Sequence, residues 1–200
     1  MNRINGSWYQ ISTVAARRFT CGHCGSDVSA EKAYYCSNVN GVNVAQCYLC
    51  HDCNRPSLFF DQEQVPAPRL GISIPNLPKD INDIYDEIRQ STAANAYTAA
   101  ILASRKLLMH IAVEAGAKAG ESFQAYVNYL VDNHYTPPNS KGWVDKIREL
   151  GNEANHEIVI MGQVEAGDVI KFLEMILRFM YEFQAPVPNT QVSSPTMPLN

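Results

Sequence analysis

The sequence predicts an α+β chain, a small β unit held by cysteines followed by an all-helical bundle of about five helices. Three observations point to it. All six cysteines lie before residue 70. Two Cys-x-x-Cys pairs, Cys21/Cys24 and Cys50/Cys53, flank two β-rich segments that meet at Asn40-Gly41. Beyond residue 79 the apolar residues recur at helical spacing, and that periodicity is missing from the first part. The expected units are a ribbon over 1–63, a connector over 64–78, a bundle over 79–184 and a disordered tail over 185–200.

Composition narrows the field. The chain has 200 residues, 46% of them hydrophobic, enough for a real core. Its net charge of −4 supplies no global field toward nucleic acid or anionic lipid, so any such binding needs a local patch. No apolar run approaches the roughly 18–20 residues of a membrane span. The opening MNRINGSWYQ has neither the apolar core nor the small-residue cleavage site of a signal peptide. Three cysteines within CYLCHDC look like metal ligands rather than a disulfide framework, and a reducing cytoplasm is the expected compartment.

In the first unit, residues 8–20 are rich in β-formers, and Ala33–Val39 and Val42–Leu49 flank Asn40-Gly41. That dipeptide is a strong two-residue hairpin signal, because both turn positions need φ > 0. A Cys-x-x-Cys loop lets two thiolates converge on one ion, and zinc prefers four ligands in a tetrahedron. Cys21, Cys24, Cys50 and Cys53 are therefore expected to hold one structural Zn²⁺. Cys47 offers an alternative knuckle with Cys50, although CHDC before Asn54-Arg55 closes more naturally than CYLC within an apolar strand. A two-residue turn makes paired residue numbers sum to 81, so Cys36 faces Ala45 and Cys47 faces Tyr34. Diagonal placement keeps Cys36 and Cys47 too far apart for an easy disulfide, and both are expected to be small buried hydrophobes. His23 and His51 sit inside the knuckles, where four thiolates already complete the shell. Such a closed site folds a segment too small to stabilise itself and leaves no position for metal catalysis. Arg17, Arg18, Lys32 and Arg55 are candidates for a nucleic-acid-binding patch, against ordinary solvated charges.

The segment around VPAPRLGISIPNLP, rich in proline, reads as an extended connector with a short strand-like ISI. A first helix is expected over Asp80–Gln90, with Ile81, Ile84, Tyr85 and Ile88 on one face. Ser91 or Thr92 is expected to cap a second, alanine-rich helix reaching about Gly116. A third spans about Glu121–His134 and ends at Pro137-Pro138, and a fourth starts at Ser140-Lys141-Gly142. The last, Val164–Phe183, is apolar nearly all round and is expected to be central or at a dimer interface.

The fourth helix contains RELGNEANH, Arg148 to His156. Asn152 and His156 share a face four residues apart, with Arg148 one turn earlier, a stripe suited to a phosphate or nucleobase. A capped or frayed helix end is the plainer alternative, since Gly151 and Asn152 are poor helix formers.

ISIPNLPKDINDIYDEIRQS, AAILASRKLLMHIA, IRELGNEANHE and the terminal FMYEF together resemble the bacterial domain of unknown function 4145, whose members often carry an N-terminal two-knuckle ribbon. That family is grouped with the HEPN (higher eukaryotes and prokaryotes nucleotide-binding) bundles. Many of these are metal-independent ribonucleases of toxin–antitoxin and phage-defence systems, usually dimers. The resemblance thus implies a HEPN-like helical bundle and a homodimer formed through it. His156 matches the family's histidine and Asn152 its polar position, while Gly151 occupies the arginine position and Arg148 lies three residues earlier. Arg105 matches an arginine of the second helix. Metal-free RNA cleavage needs a base, an acid and a cation near the phosphorane. His156 with Asn152, Arg148 and Arg105 are the candidates. The expected function is a zinc-binding helical module that binds nucleic acid, a nucleotide or a partner protein, without a membrane. The alternative is a HEPN-type endoribonuclease with a displaced arginine.

Overall fold

Five strands run in sequence order through one antiparallel sheet: β1 (Ser12–Thr20), β2 (Asp27–Ser37), β3 (Asn43–Leu49), β4 (Pro56–Phe60) and β5 (Glu63–Val65). The computed structural model describes residues 10–136, 142–147, 149 and 160–183. Between β2 and β3 the expected register holds, with Tyr34 opposite Cys47 and Cys36 opposite Ala45. The turn differs. A bulge shifts the ladder so that Ser37 pairs with Asn43, and the loop is 38–42 rather than Asn40-Gly41 alone. Asn38 Oδ1 accepts from the backbone N–H of Asn40 (2.9 Å) and Val42 (3.0 Å), and of the two expected turn residues only Gly41 has positive φ. A side-chain-built Asx turn has displaced the two-residue turn.

β4 and β5 were not anticipated, and the boundary expected after residue 63 falls inside β5. Phe60 pairs with Glu63 around a tight turn in which Asp61 takes φ 52°. One side of the sheet buries Ala33, Tyr48 and Phe59 with Phe19 packed on them, the Phe19 and Phe59 rings meeting edge-on at 5.0 Å. The pairings turn Tyr34, Cys47 and Leu58, and next to them Cys36, Ala45 and Phe60, to the other side. Cys36 is therefore exposed and Cys47 half-buried, which corrects the expectation that both are buried.

The helices are α1 (Lys79–Ala93), α2 (Tyr97–Glu114), α3 (Phe123–Asp132), α4 (described over 142–147) and α5 (Gln163–Leu177), which runs on into a π-helical turn, Arg178–Glu182. α1 buries Ile81, Tyr85 and Ile88 as its spacing requires. It also takes in Ser91 and Thr92, so neither caps α2; the break comes at 94–96, where Asn95 adopts φ 58°. α3 starts on Ser122, whose Oγ accepts from Ala125 N–H at 3.2 Å. α2 packs on α1, α3 and α5 and is the central helix, with Ala100 and Ala112 fully buried where small side chains permit close approach. α5 contributes Phe172, Leu173 and Ile176 to the same core, whereas Phe179 in the π turn and Phe183 just after it are exposed. Among the described residues no helix is long and apolar enough to cross a membrane.

The connector is bonded along its length and is no free spacer. Ala67 N–H donates to Ala93 O (2.9 Å), Leu70 N–H to Thr92 Oγ1 (3.0 Å), and Tyr85 Oη to Ile72 O (3.1 Å). The expected ISI strand does not form; Ile74 is buried in the helical core and Ile72 is exposed.

Candidate functional site

The two knuckles are built alike. Cys21 N–H donates to Ser26 O (2.8 Å) and Gly25 N–H to Cys21 O (2.8 Å); Cys50 N–H donates to Arg55 O (3.0 Å) and Asn54 N–H to Cys50 O (2.9 Å). In each, the residue after the second cysteine is left-handed, Gly25 at φ 83° and Asn54 at φ 56°. These are residue types that tolerate that region. The β2–β3 and β3–β4 ladders carry the second knuckle back to the first. Cys47 stays within β3, between Tyr34 and Leu58, which decides between CHDC and CYLC.

The four sulfurs of Cys21, Cys24, Cys50 and Cys53 lie within 4.8 Å of one another. Cys21 Sγ and Cys53 Sγ are 3.7 Å apart and Cys24 Sγ and Cys50 Sγ 3.6 Å. A tetrahedron with Zn–S bonds of about 2.3 Å has edges of about 3.8 Å, so the spacing suits a tetrathiolate ion such as zinc. It is far outside the roughly 2.05 Å of a disulfide. Cys21, Cys50 and Cys53 are buried and Cys24 half-buried. Burial pushes the thiols of Cys50 and Cys53 upward. Burial acts the same way on Cys24, but hydrogen bonds from Ser26 and the neighbouring thiols outweigh it and bring its pKa to about 7. Four thiolates would fill the shell of one divalent ion and leave no open position on it. His23 Nε2 is 3.0 Å from Pro56 O, and His51 sits 3.7 Å from Asp52; neither belongs to the sulfur cluster.

The basic residues are spread over the ribbon. The Arg17 guanidinium lies 4.4 Å above the Phe59 ring, half-buried, while Arg18 is exposed. Lys32 is exposed opposite Thr13, on the other side of the β1 irregularity, and Arg55 is half-buried after the second knuckle.

His156, Asn152 and Arg148 lie outside the described residues, as does the tail over 185–200. Arg105 is described, and its environment is unusual. It is 8% exposed, its Cζ is 4.2 Å from the Phe123 ring centre, and its Nη1 is sealed with no hydrogen-bond partner among the described residues. Burial pushes its pKa down, with no acidic group among the described residues to offset it.

The sequence reasoning missed Arg69. Its Nε donates to Gly22 O (3.0 Å), Nη1 to Asp86 Oδ1 (2.6 Å) and Nη2 to His23 O. No motif marks it, since two of its three partners are backbone carbonyls. Gly22 gave a fainter hint: a Cβ there would lie 2.4 Å from Ala67 O, so the knuckle touches the connector backbone to backbone.

Comparison with curated proteins and with solved structures gives no match in either case. The family model described as "Domain of unknown function (DUF4145)" matches residues 86–193, which takes in most of α1 and everything to the end of α5. That is more than half of the 200 residues, and the chain belongs to this family.

Proposed function

We propose that the chain is a metal-held binding module whose helical half receives a phosphate-bearing ligand, a nucleic acid or a nucleotide, at Arg105. The observation that supports this reading is the buried guanidinium in the central helix, whose sealed Nη1 has no partner among the described residues. A buried cation is costly unless something anionic meets it, and guanidinium is suited to phosphate. Titration of a labelled single-stranded RNA, with ATP as competitor, tests the reading. Binding that weakens with salt and drops at least tenfold in Arg105→Met supports it; equal binding by the variant and the native chain contradicts it. Should the bound RNA be cut, and cutting vanish in His156→Ala with the fold intact, the module is the metal-independent endoribonuclease that the HEPN resemblance implies. In that case Asn152 and Arg148 serve with His156 on the phosphodiester.

A second reading, a partner protein, is favoured by the outward side of the sheet. Leu58, Phe60 and Val65 are 43%, 54% and 55% exposed there, beside Cys36 and Tyr34. Exposed apolar residues gathered on one face are the mark of an interaction site. Leu58→Asp with Phe60→Asp would abolish capture of such a partner and leave the melting temperature of the isolated chain in place.

A further inference from the structure

We infer that metal occupancy of the ribbon is transmitted to α1 through Arg69, so that the knuckle and the helical half are one coupled unit. The Arg69 side chain is 6% exposed and spans the two halves. Two of its nitrogens hold the carbonyls of Gly22 and His23, the residues between the ligands Cys21 and Cys24. The third holds Asp86 on α1, whose other carboxylate oxygen accepts from Gln90 Nε2 at 2.8 Å. The joint is reinforced on both sides. Gln64 Nε2 donates to Thr20 O at 2.8 Å just before the knuckle, and Ala67 and Leu70 are bonded to the end of α1.

The ion fixes the turn that aims these carbonyls. Four thiolates and a divalent cation carry a net charge of about −2, so the loaded knuckle is anionic and the adjacent guanidinium complements it. Without the ion the turn loses the bonds that define its shape, and a buried guanidinium loses two acceptors at once. Asp86 alone then holds it, and the C-terminal half of α1 loses its anchor to the ribbon. Coupling of this kind is reciprocal: whatever α1 gains from the ion, the ion gains from Arg69.

Hydrogen exchange on the full chain tests this, comparing zinc-loaded protein with protein stripped by a chelator. In the native sequence, stripping is expected to raise exchange not only in the knuckles but also over 67–72 and the C-terminal half of α1. In Arg69→Ala these segments exchange fast even with zinc bound, and stripping adds little there while the knuckle amides still respond. Zinc affinity, measured by chelator competition, falls about tenfold in that variant, within the usual range of coupling between sites. Leu130→Ala, in α3 and away from the joint, serves as the control for general loosening and keeps native zinc affinity. If Arg69→Ala does not fold, Asp86→Asn keeps the test open, since it weakens the same link from the helix side. Unchanged α1 exchange on stripping the native protein overturns the inference, as does native zinc affinity in Arg69→Ala or Asp86→Asn.

Discussion

Replacing Arg105 by methionine should make the unliganded chain more stable while abolishing the phosphate binding proposed for this site. The native side chain is 8% exposed and keeps one nitrogen sealed without a partner among the described residues. A buried donor left unsatisfied costs about 1–3 kcal/mol. Against this stands the stacking of the guanidinium at 4.2 Å from Phe123, an interaction of about 0.5–2 kcal/mol. Methionine is close in length, and its sulfur recovers much of that contact on the same ring. The balance favours the variant by about 1 kcal/mol, a rise of about 2–4 °C in melting temperature for a chain of this size. Melting followed at 222 nm reads this directly. Adding RNA or ATP should raise the melting temperature of the native protein and leave Arg105→Met where it was. A variant destabilised by about 3–5 kcal/mol would instead show that Arg105 is paired in the native chain, because that is the signature of breaking a buried pair rather than relieving an unpaired cation.

Other outcomes follow from the same geometry. Cys50→Ser should lose the ion and the ribbon's protection while far-UV helicity stays close to native, since α2, α3 and α5 form their core without the sheet. Zinc affinity should fall as pH drops below neutrality: the ligands bind as thiolates and bind protons instead in acid, Cys50 and Cys53 with thiols raised by burial and Cys24 near 7. Chelator competition across pH 6–8 with proton release measured alongside checks the sign, and a pH-independent affinity would contradict it. Ser122→Ala removes the acceptor that caps α3 and should cost about 1 kcal/mol in urea melts.

How far the sequence spoke depended on whether a feature was local. The clustering of Cys21, Cys24, Cys50 and Cys53 was legible because each knuckle is a short loop with its own signature. The left-handed Gly25 and Asn54 sit directly after Cys24 and Cys53, and the apolar pattern of β3 keeps Cys47 in the strand. The ladder register was readable for the same reason, while the turn was not: Asn38, a residue outside the expected turn, recruits two backbone N–H groups and takes over. β4 and β5 escaped notice because PSLFF opens with proline and the turn at Asp61 lacks glycine. The break between α1 and α2 hides in an alanine-rich run where only Asn95 marks the reversal. Arg69 was invisible from sequence, since its role depends on carbonyls brought close by a fold that places residues 22 and 69 together.

The most direct measurement is the metal content of the purified full chain, taken before and after modification of its thiols. About one zinc per chain is expected, held by Cys21, Cys24, Cys50 and Cys53. That zinc is retained when Cys36 and Cys47 are both changed to serine, and it is lost on Cys50→Ser or when the remaining four thiols are modified. A chain with no metal whose knuckle amides are nonetheless protected, or one that keeps its zinc in Cys50→Ser, would contradict a ribbon held by a four-cysteine zinc site.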